Sequence, residues 1–403
     1  MGSGSSKRKD KSHLLETLKE HKDSIMCLAL TDDSSLLVTG SYDTTACLWS
    51  TMSDATECLG VLIGHTGRIV CVATSMTFVY TGSEDSTIKK WDICTSDCIF
   101  TYSGHVSQVN RIMCAGDFLF STSYDKTAKV WLQQVNNAST QEEVLVRTFE
   151  GHTKAVYPII FLPGQDTGGV NEEGLKINPS DLVITGSTDT TAKSWALDMG
   201  ICLKTMQQHT GPVTCMDTGA QGKLLFTGSD DCTVRVWEVS SGRCLRELRG
   251  HNEAVTCLKA VQRMLYTGSH DSKVKCWLPE SANCTRTFKI STNFGSVTAI
   301  QIYKGILFVG YTDDVARAFD AKSGSLKRVF QGHTDSVSCL AVWANKLYTG
   351  SSDGTLRVWD VSNISTETSS EESEDELNHH VELDFDLERY LGDDVDQNSK
   401  PDE

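Results

Sequence analysis

The sequence predicts an all-β protein: an eight-bladed β-propeller, closed by its own N-terminal strand and followed by a disordered acidic tail. Three observations carry that prediction. A hairpin-like unit recurs eight times, each copy ends on a bulky aromatic residue, and those residues are mostly 40 or 42 positions apart. Self-similarity at a period of about 40–45 residues, with four strands per unit, marks a propeller array and not a string of separate domains.

The last unit, Leu347 to Asp360, shows the pattern most clearly. Leu347 to Ser351 is short and rich in β-formers, Ser352-Asp353-Gly354 has turn chemistry, and Thr355 to Trp359 resumes period-two alternation, which together read as two strands about a tight turn. Taken along the chain, copies close on Trp49, Trp91, Trp131, Trp195, Trp237 and Trp277, then on Phe319 in a degraded copy, and finally on Trp359. The intervals are 42, 40, 64, 42, 40, 42 and 40 residues, the long one being a normal interval plus insertions. A histidine stands upstream of each Trp: His21, His65, His105, His152, His209, His251 and His333, most of them after Gly. The turns carry Asp43, Asp85, Asp125, Asp189, Asp231, Asp271, Asp313 and Asp353.

Gly-His, then Ser-x-Asp-x-Thr, then Trp-Asp or a variant resembles the WD-repeat family of β-propellers, over roughly Leu14 to Asp360. A Trp closing the third strand of each unit fills the wedge between blades, but burying its ring also buries an indole N–H that needs an acceptor. The resemblance implies a polar chain that supplies one. The Trp donates to a Ser or Thr hydroxyl on the second strand, the hydroxyl meets the His, and the turn Asp holds the His; in the last unit these are Trp359, Thr349 or Ser351, His333 and Asp353. Seven of the eleven histidines occupy this register, so they are expected to be scaffold and not catalytic.

The segment from His13 to Lys19 lies where every later unit has its outer strand, and the last unit stops at Trp359-Asp360 without one. Residues near Leu14–Leu18 are therefore expected to complete the final blade, leaving a propeller over 13–361 with no long free edge. The fourth unit carries two insertions, Gln133 to Glu143 and the Gly-rich Pro163 to Pro179, whose connections are expected on the face opposite the Gly-His turns. In the seventh unit Asn293 stands for His, Val309 and Tyr311 for the hydroxyls, Val315 for Thr and Phe319 for Trp. A Phe needs no acceptor, so the polar chain is expected to lapse there without stranding a donor.

Nine of the fifteen cysteines recur in register: Cys27, Cys71, Cys215, Cys257 and Cys339 six residues after their histidine, and Cys58, Cys98, Cys202 and Cys244 seven before it. Both sets are expected to be small, buried, reduced strand residues, and without paired C-x-x-C spacing neither a metal site nor any other cofactor is expected. The net charge of −16 is unevenly spread, with +3 in residues 1–11, −6 in 12–360 and −13 in 361–403. No basic stripe with interleaved aromatics marks the propeller, which argues against nucleic acid as its partner.

The ends carry their own signals. Residues 1–12 begin Met-Gly-Ser-Gly-Ser-Ser, which fits an N-myristoylation signal with Gly2 as acceptor, and Lys7, Arg8, Lys9 and Lys11 follow at once. A single acyl chain with a basic cluster is the two-signal form of peripheral membrane anchoring; the competing reading is a flexible Gly/Ser leader. Residues 362–403 have too few apolar side chains to order themselves. Ser369 and Ser373, each with Glu three positions on, resemble acidophilic kinase sites, and Leu377 to Leu391 alternates acids with Val381, Leu383, Phe385 and Leu387, a pattern suited to docking on a partner.

These features describe a non-enzymatic protein-interaction scaffold: a monomeric cytoplasmic propeller, with proteins as partners, no small-molecule substrate, and membrane association through Gly2. The family resemblance places the contact surface on the Gly-His and Asp-turn face, where Tyr42, Glu84, Tyr124, Asp230 and His270 flank the turn aspartates and Arg68 and Gln108 lie in neighbouring loops. The alternative is a substrate receptor of a ubiquitin ligase, although the family's W-D-x-R docking pattern is absent after Trp91 and Trp359. An enzyme is the third class, and no residue constellation points to a reaction.

Overall fold

The structure, a computed structural model, describes residues 13–53, 55–134, 144–164, 177–289 and 295–364. Its 32 strands form eight four-stranded antiparallel sheets. Seven sheets take four consecutive strands in chain order, from an inner strand at the channel to an outer strand at the rim. The eighth takes Val337–Trp343, Lys346–Ser351 and Leu356–Asp360 from the end of the chain, and its outer strand, Leu14–Leu18, from the beginning. Leu14 pairs with Trp359 and Leu18 with Leu356, and the Asp360 N–H donates to the His13 carbonyl at 2.9 Å. Each inner strand packs on its neighbour and the last returns to the first, so the disc is closed.

Between successive blades lie apolar layers, each organised about one of the large aromatic rings. Val234, Val236 and Leu248 of blade 5 meet Val255, Leu265 and Trp277 of blade 6, and the equivalent layer between blades 6 and 7 holds Phe288, Leu307 and Phe319. All seven anchor Trp side chains and Phe319 are buried, removing their ring area from water at about 25 cal/mol per Å².

The seams are tight because of a glycine. A Cβ at Gly40 would lie 2.7 Å from Cys27 Sγ and 2.7 Å from Ile69 Cγ2 of the next blade. Gly82, Gly228, Gly268 and Gly350 meet Cys71, Cys215, Cys257 and Cys339 in the same way. The first cysteine set is thus the small partner of a required glycine, and burial pushes the Cys71 thiol up to about 12. Blade 3 shows the rule by exception: Thr122 replaces the glycine, and Arg111 replaces the cysteine and is exposed.

The second cysteine set departs from expectation. Cys58, Cys98 and Cys202 are exposed and Cys244 is half-buried, because they begin outer strands, where there is no further strand to cover them.

Two sets of polar ties cross the seams. Every inner strand has a register shift near its start, and in blades 3, 5, 6, 7 and 8 the polar side chain turned out there reaches the next blade. Thr214 donates to the Val255 carbonyl at 2.6 Å, Thr256 to Val297 at 2.7 Å, Asn110 to Val156 at 2.7 Å, and Ser338 of blade 8 to Ile25 of blade 1. At the rim, Arg286 donates to the Ala321 carbonyl and Arg328 to that of Asp360, each at 2.7 Å and each one blade on. At the seam joining the chain ends, the Glu16 carboxylate accepts the Thr56 N–H at 3.0 Å and Lys346 Nζ donates to the Ser53 carbonyl at 2.9 Å.

The longer blade-4 insertions lie mostly outside the described residues. Their feet are held: the Asp181 carboxylate accepts the N–H of Gly164 at 2.7 Å and of Asn178 at 2.9 Å. At the other end of the chain, Val361 is buried and Ile364 packs beside it against blade 7. Gly2, the basic cluster, Ser369, Ser373 and the segment from Leu377 lie outside the described residues.

Removing residues 1–18 takes away a whole strand ladder and the cover over Trp359. The folded state is expected to lose about 3–5 kcal/mol in urea denaturation. Glu16→Ala, which cuts only the tie to Thr56, is expected to cost about 1 kcal/mol.

Candidate interaction face

Seven blades contain one relay. The indole N–H of Trp49, Trp91, Trp131, Trp195, Trp237, Trp277 and Trp359 donates to Thr39, Thr81, Ser121, Thr185, Thr227, Thr267 and Thr349 respectively, at 2.8–2.9 Å. The same oxygens lie 2.7–2.9 Å from Nε2 of His21, His65, His105, His152, His209, His251 and His333. Nδ1 of each ring lies 2.7–3.0 Å from Asp43, Asp85, Asp125, Asp189, Asp231, Asp271 and Asp353. In the last blade the hydroxyl is Thr349. Ser351 instead donates to the Asp335 carbonyl and accepts the Asp353 N–H.

With a neutral imidazole, counting protons fixes the directions. Trp Nε1–H donates to the hydroxyl, the hydroxyl donates to Nε2, and Nδ1–H donates to the carboxylate. Burial lowers the pKa of His21 and of His105 despite the opposing pull of Asp43 and Asp125, which keeps those two rings neutral. The carboxylates behave in the opposite sense. Burial works against their charge, but bonds from the His, from the Thr two residues on, and from the backbone N–H after the His outweigh it and hold Asp85, Asp125, Asp189, Asp231 and Asp353 far below the usual range. Asp271, where Lys273 replaces that Thr, falls only to about 2.

Blade 7 has none of this relay. Asn293 lies outside the described residues, Val309 and Phe319 are buried, and Asp313 pairs with Arg317 at 2.6 Å. The expectation that no donor is stranded there needs correcting: the Tyr311 hydroxyl is buried with no hydrogen-bond partner, and the Arg317 guanidinium lies 4.7 Å from its ring centre. Tyr311 occupies the position of Ser351, whose short side chain bonds the turn.

The relays fix the mouth of the disc. In every blade the residue before the turn Asp donates its N–H to a carbonyl just ahead of the inner strand: Tyr42 to Ser24, Glu84 to Arg68, Tyr124 to Gln108, Thr188 to Ala155, Asp230 to Pro212, His270 to Ala254, Thr312 to Ser296 and Ser352 to Ser336, at 2.9–3.0 Å. Only backbone is used, so the side chains on this ring are free to differ. All seven residues singled out from the sequence sit on it.

Their exposure differs. Tyr124, Asp230, His270 and Arg68 are exposed, whereas Tyr42, Glu84 and Gln108 are half-buried. The Arg68 guanidinium lies 4.5 Å from the Tyr42 ring centre and 4.0 Å from Glu84, while Gln108 Nε2 donates to Asn110. Blades 1–3 thus offer aromatic and cationic groups together, with Val106 beside them 87% exposed. Sequence reasoning missed Val106 and Arg111, whose signals are departures from the repeat: Val where most units have Thr, and Arg where most have Cys.

On the opposite face, between blades 2 and 3, a cleft of about 340 Å3 is lined by Phe78, Asp117 and Gln133 among others. Lys90 is buried at its base, donating to the Gln133 carbonyl at 2.8 Å with Nζ 3.6 Å from the Phe78 ring centre. Gln133 also accepts from Tyr80 and donates to the Phe118 carbonyl, so this network acts as a seam tie. Among the described residues no group of three or more His, Cys, Asp or Glu is placed to hold a metal ion, and no helix is long and apolar enough to cross a membrane.

A closed disc of four-stranded blades with a Trp–hydroxyl–His–Asp relay in seven of them defines a class of repeat propeller. The sequence model of the family "WD domain, G-beta repeat" matches residues 12–50, 56–92, 96–131, 200–238, 242–277 and 324–360, and the chain belongs to that family. The unmatched stretches cover the insertions of blade 4 and the relay-less centre of blade 7. An uncharacterized WD repeat-containing protein of Schizosaccharomyces pombe is 28% identical over 349 residues, covering 86% of this chain and 57% of its own length. Mitochondrial division protein 1 of the same organism is 35% identical over 107 residues, 22% of this chain and 16% of its own. This chain therefore spans less than two thirds of either relative. Saccharomyces cerevisiae Sqt1 is similar in fold, with a TM-score of 0.75 at 16% identity over 87% of this chain and 100% of its own, and so is the computationally designed Ika8, with a TM-score of 0.72 at 24% identity over 86% and 98%.

Two outcomes test the relay. Thr349→Val leaves both Trp359 Nε1 and His333 Nε2 unpaired and is expected to cost about 1–3 kcal/mol; combined with Trp359→Phe, which removes the donor, the added cost falls by about 1 kcal/mol in a double-mutant cycle. The pH dependence follows from the shifts. His21 and His105 resist protonation when folded, so stability is full above the unfolded value near 6.5 and declines as pH falls below it; the depressed carboxylates contribute fully above about pH 4 and that contribution is lost as pH falls toward their folded values. Urea midpoints measured against pH are expected to be flat above 7, to slope gently below 6.5 and to fall steeply below 4.

Proposed function

We propose that this protein is a non-enzymatic interaction scaffold that grips a protein partner with the relay-supported face over blades 1–3. One observation carries the reading: eight equivalent positions at the mouth are fixed through backbone alone, and the aromatic, cationic and exposed apolar side chains Tyr42, Arg68, Val106 and Tyr124 concentrate in one sector of that mouth. Tyr and Arg are the side chains that most often anchor protein interfaces. The WD-repeat fold is consistent with such a role. The basic residues after Gly2 add the second part of the proposal, a myristoyl anchor that holds the disc peripherally on the cytosolic side of a membrane as a single copy.

Proximity labelling from the intact protein tests both parts. Tyr124→Ala combined with Arg68→Ala is expected to reduce capture of the main protein neighbours at least about tenfold, with an unchanged urea midpoint. Gly2→Ala is expected to abolish the acyl mass shift and the membrane fraction while leaving face-dependent capture intact in solution. Unchanged neighbours in the face variant overturn the assigned surface, an unacylated wild-type terminus overturns the anchor, and a neighbour set dominated by cullin adaptors favours the ligase-receptor reading.

A further inference from the structure

The outer strand of blade 1, Cys58–Ile63, is unlike most of the others. Outer strands of blades 3 to 8 carry Arg147, Lys204, Arg246, Arg286, Arg328 and Glu16, charges of the kind that discourage a further strand from pairing at an edge. Cys58–Ile63 reads Cys-Leu-Gly-Val-Leu-Ile and carries none. Its alternate residues Leu59, Val61 and Ile63 share one side and are 55%, 37% and 73% exposed. Blade 2 also lacks a charge on its outer strand, but there Thr101, at the position of Val61, accepts Lys89 Nζ at 3.0 Å. The last strand of the blade-1 sheet therefore offers an open ladder edge and an apolar stripe together.

The chain's own C-terminal segment matches this edge in pattern. Val381, Leu383, Phe385 and Leu387 alternate with Glu382, Asp384, Asp386 and Glu388, so an extended backbone puts four apolar side chains on one side. The tail leaves blade 8 on the side that faces blade 7, where Ile364 packs. The Val361 N–H donates to the Asn345 carbonyl at 2.8 Å, and the adjacent Lys346 reaches across the opposite seam to the Ser53 carbonyl of blade 1 at 2.9 Å. Residues 365–380 separate the last described residue from Val381, and a segment of that length spans on the order of 20–24 Å as a coil and up to about 50 Å when extended, enough to cross one blade of four strands about 4.8 Å apart.

We propose that residues 377–391 dock on this edge as a fifth strand of blade 1, the apolar stripe covering Leu59, Val61 and Ile63 and the acids facing away. Tethering makes the docking intramolecular, at an effective concentration in the millimolar range, so modest affinity suffices. The proposal does not depend on the scaffold reading, since it concerns the rim and not the mouth.

Hydrogen exchange tests it on the full-length protein, on full-length Phe385→Asp, and on a chain ending at residue 376, which keeps the whole closed disc. Protection of the backbone amides in 58–63 is expected to be about tenfold greater in the full-length protein than in either altered form, to be independent of protein concentration, and to return when a peptide of residues 377–391 is added to the shortened chain. Val61→Lys, a substitution at an exposed rim position, is expected to abolish the peptide's effect. Equal protection in all three forms, protection that falls on dilution and so reports a second copy, or a peptide that protects a different outer strand overturns the proposal.

Discussion

A buried indole N–H without an acceptor is the constraint around which this disc is built. A propeller of eight blades leaves wide wedges between sheets, and a Trp ring is large enough to fill one, but its nitrogen goes into the dry layer with the ring. Each relay meets that need with a hydroxyl that can accept from Trp and donate to His at once, and a carboxylate that anchors the far end. Because the relay links the second strand, the third strand and the two loops at one face, satisfying a single donor also fixes the register of the blade and the height of its turns. The depressed carboxylates are the electrostatic signature of that arrangement.

Blade 7 shows that filling the wedge and pairing the donor are separable. Phe319 occupies the same place as the Trp side chains, is just as buried, and brings no N–H, so the hydroxyl position can become Val309 and the carboxylate can turn to Arg317. The blade keeps its four strands. What it gives up is the link between strand register and turn position, and the Tyr311 hydroxyl is left buried without a partner.

The ring closes by small devices repeated at every seam. Glycine on the second strand lets the next blade approach, and cysteine is the small side chain that fits over it; where Thr122 takes the glycine's place, the facing residue becomes Arg111 and is exposed. The mouth of the disc is held by backbone bonds, which frees its side chains to diversify without cost to the fold. A surface for partners can therefore change from one repeat to the next while the scaffold beneath it stays constant.

The repeat, its period, the Trp–His–Asp register and closure through Leu14–Leu18 were legible in the sequence because each is dictated by local pattern or by a chemical need that one residue type imposes seven times over. The choice of Thr349 over Ser351, the exposure of Cys58 and Cys98, the unpaired Tyr311 and the ties from Glu16 to Thr56 and from Lys346 to Ser53 were not. Two hydroxyls two residues apart on a strand share a face and differ only in which lies beside the Trp and which beside the turn, and contacts across the join between first and last blades unite residues some forty to three hundred positions apart. The sequence by itself determined the kind of blade and how many there are, since those follow from periodicity. Only the tertiary structure decided which side chains cross a seam and which reach the mouth, since that depends on which blade stands next to which and how closely the sheets approach.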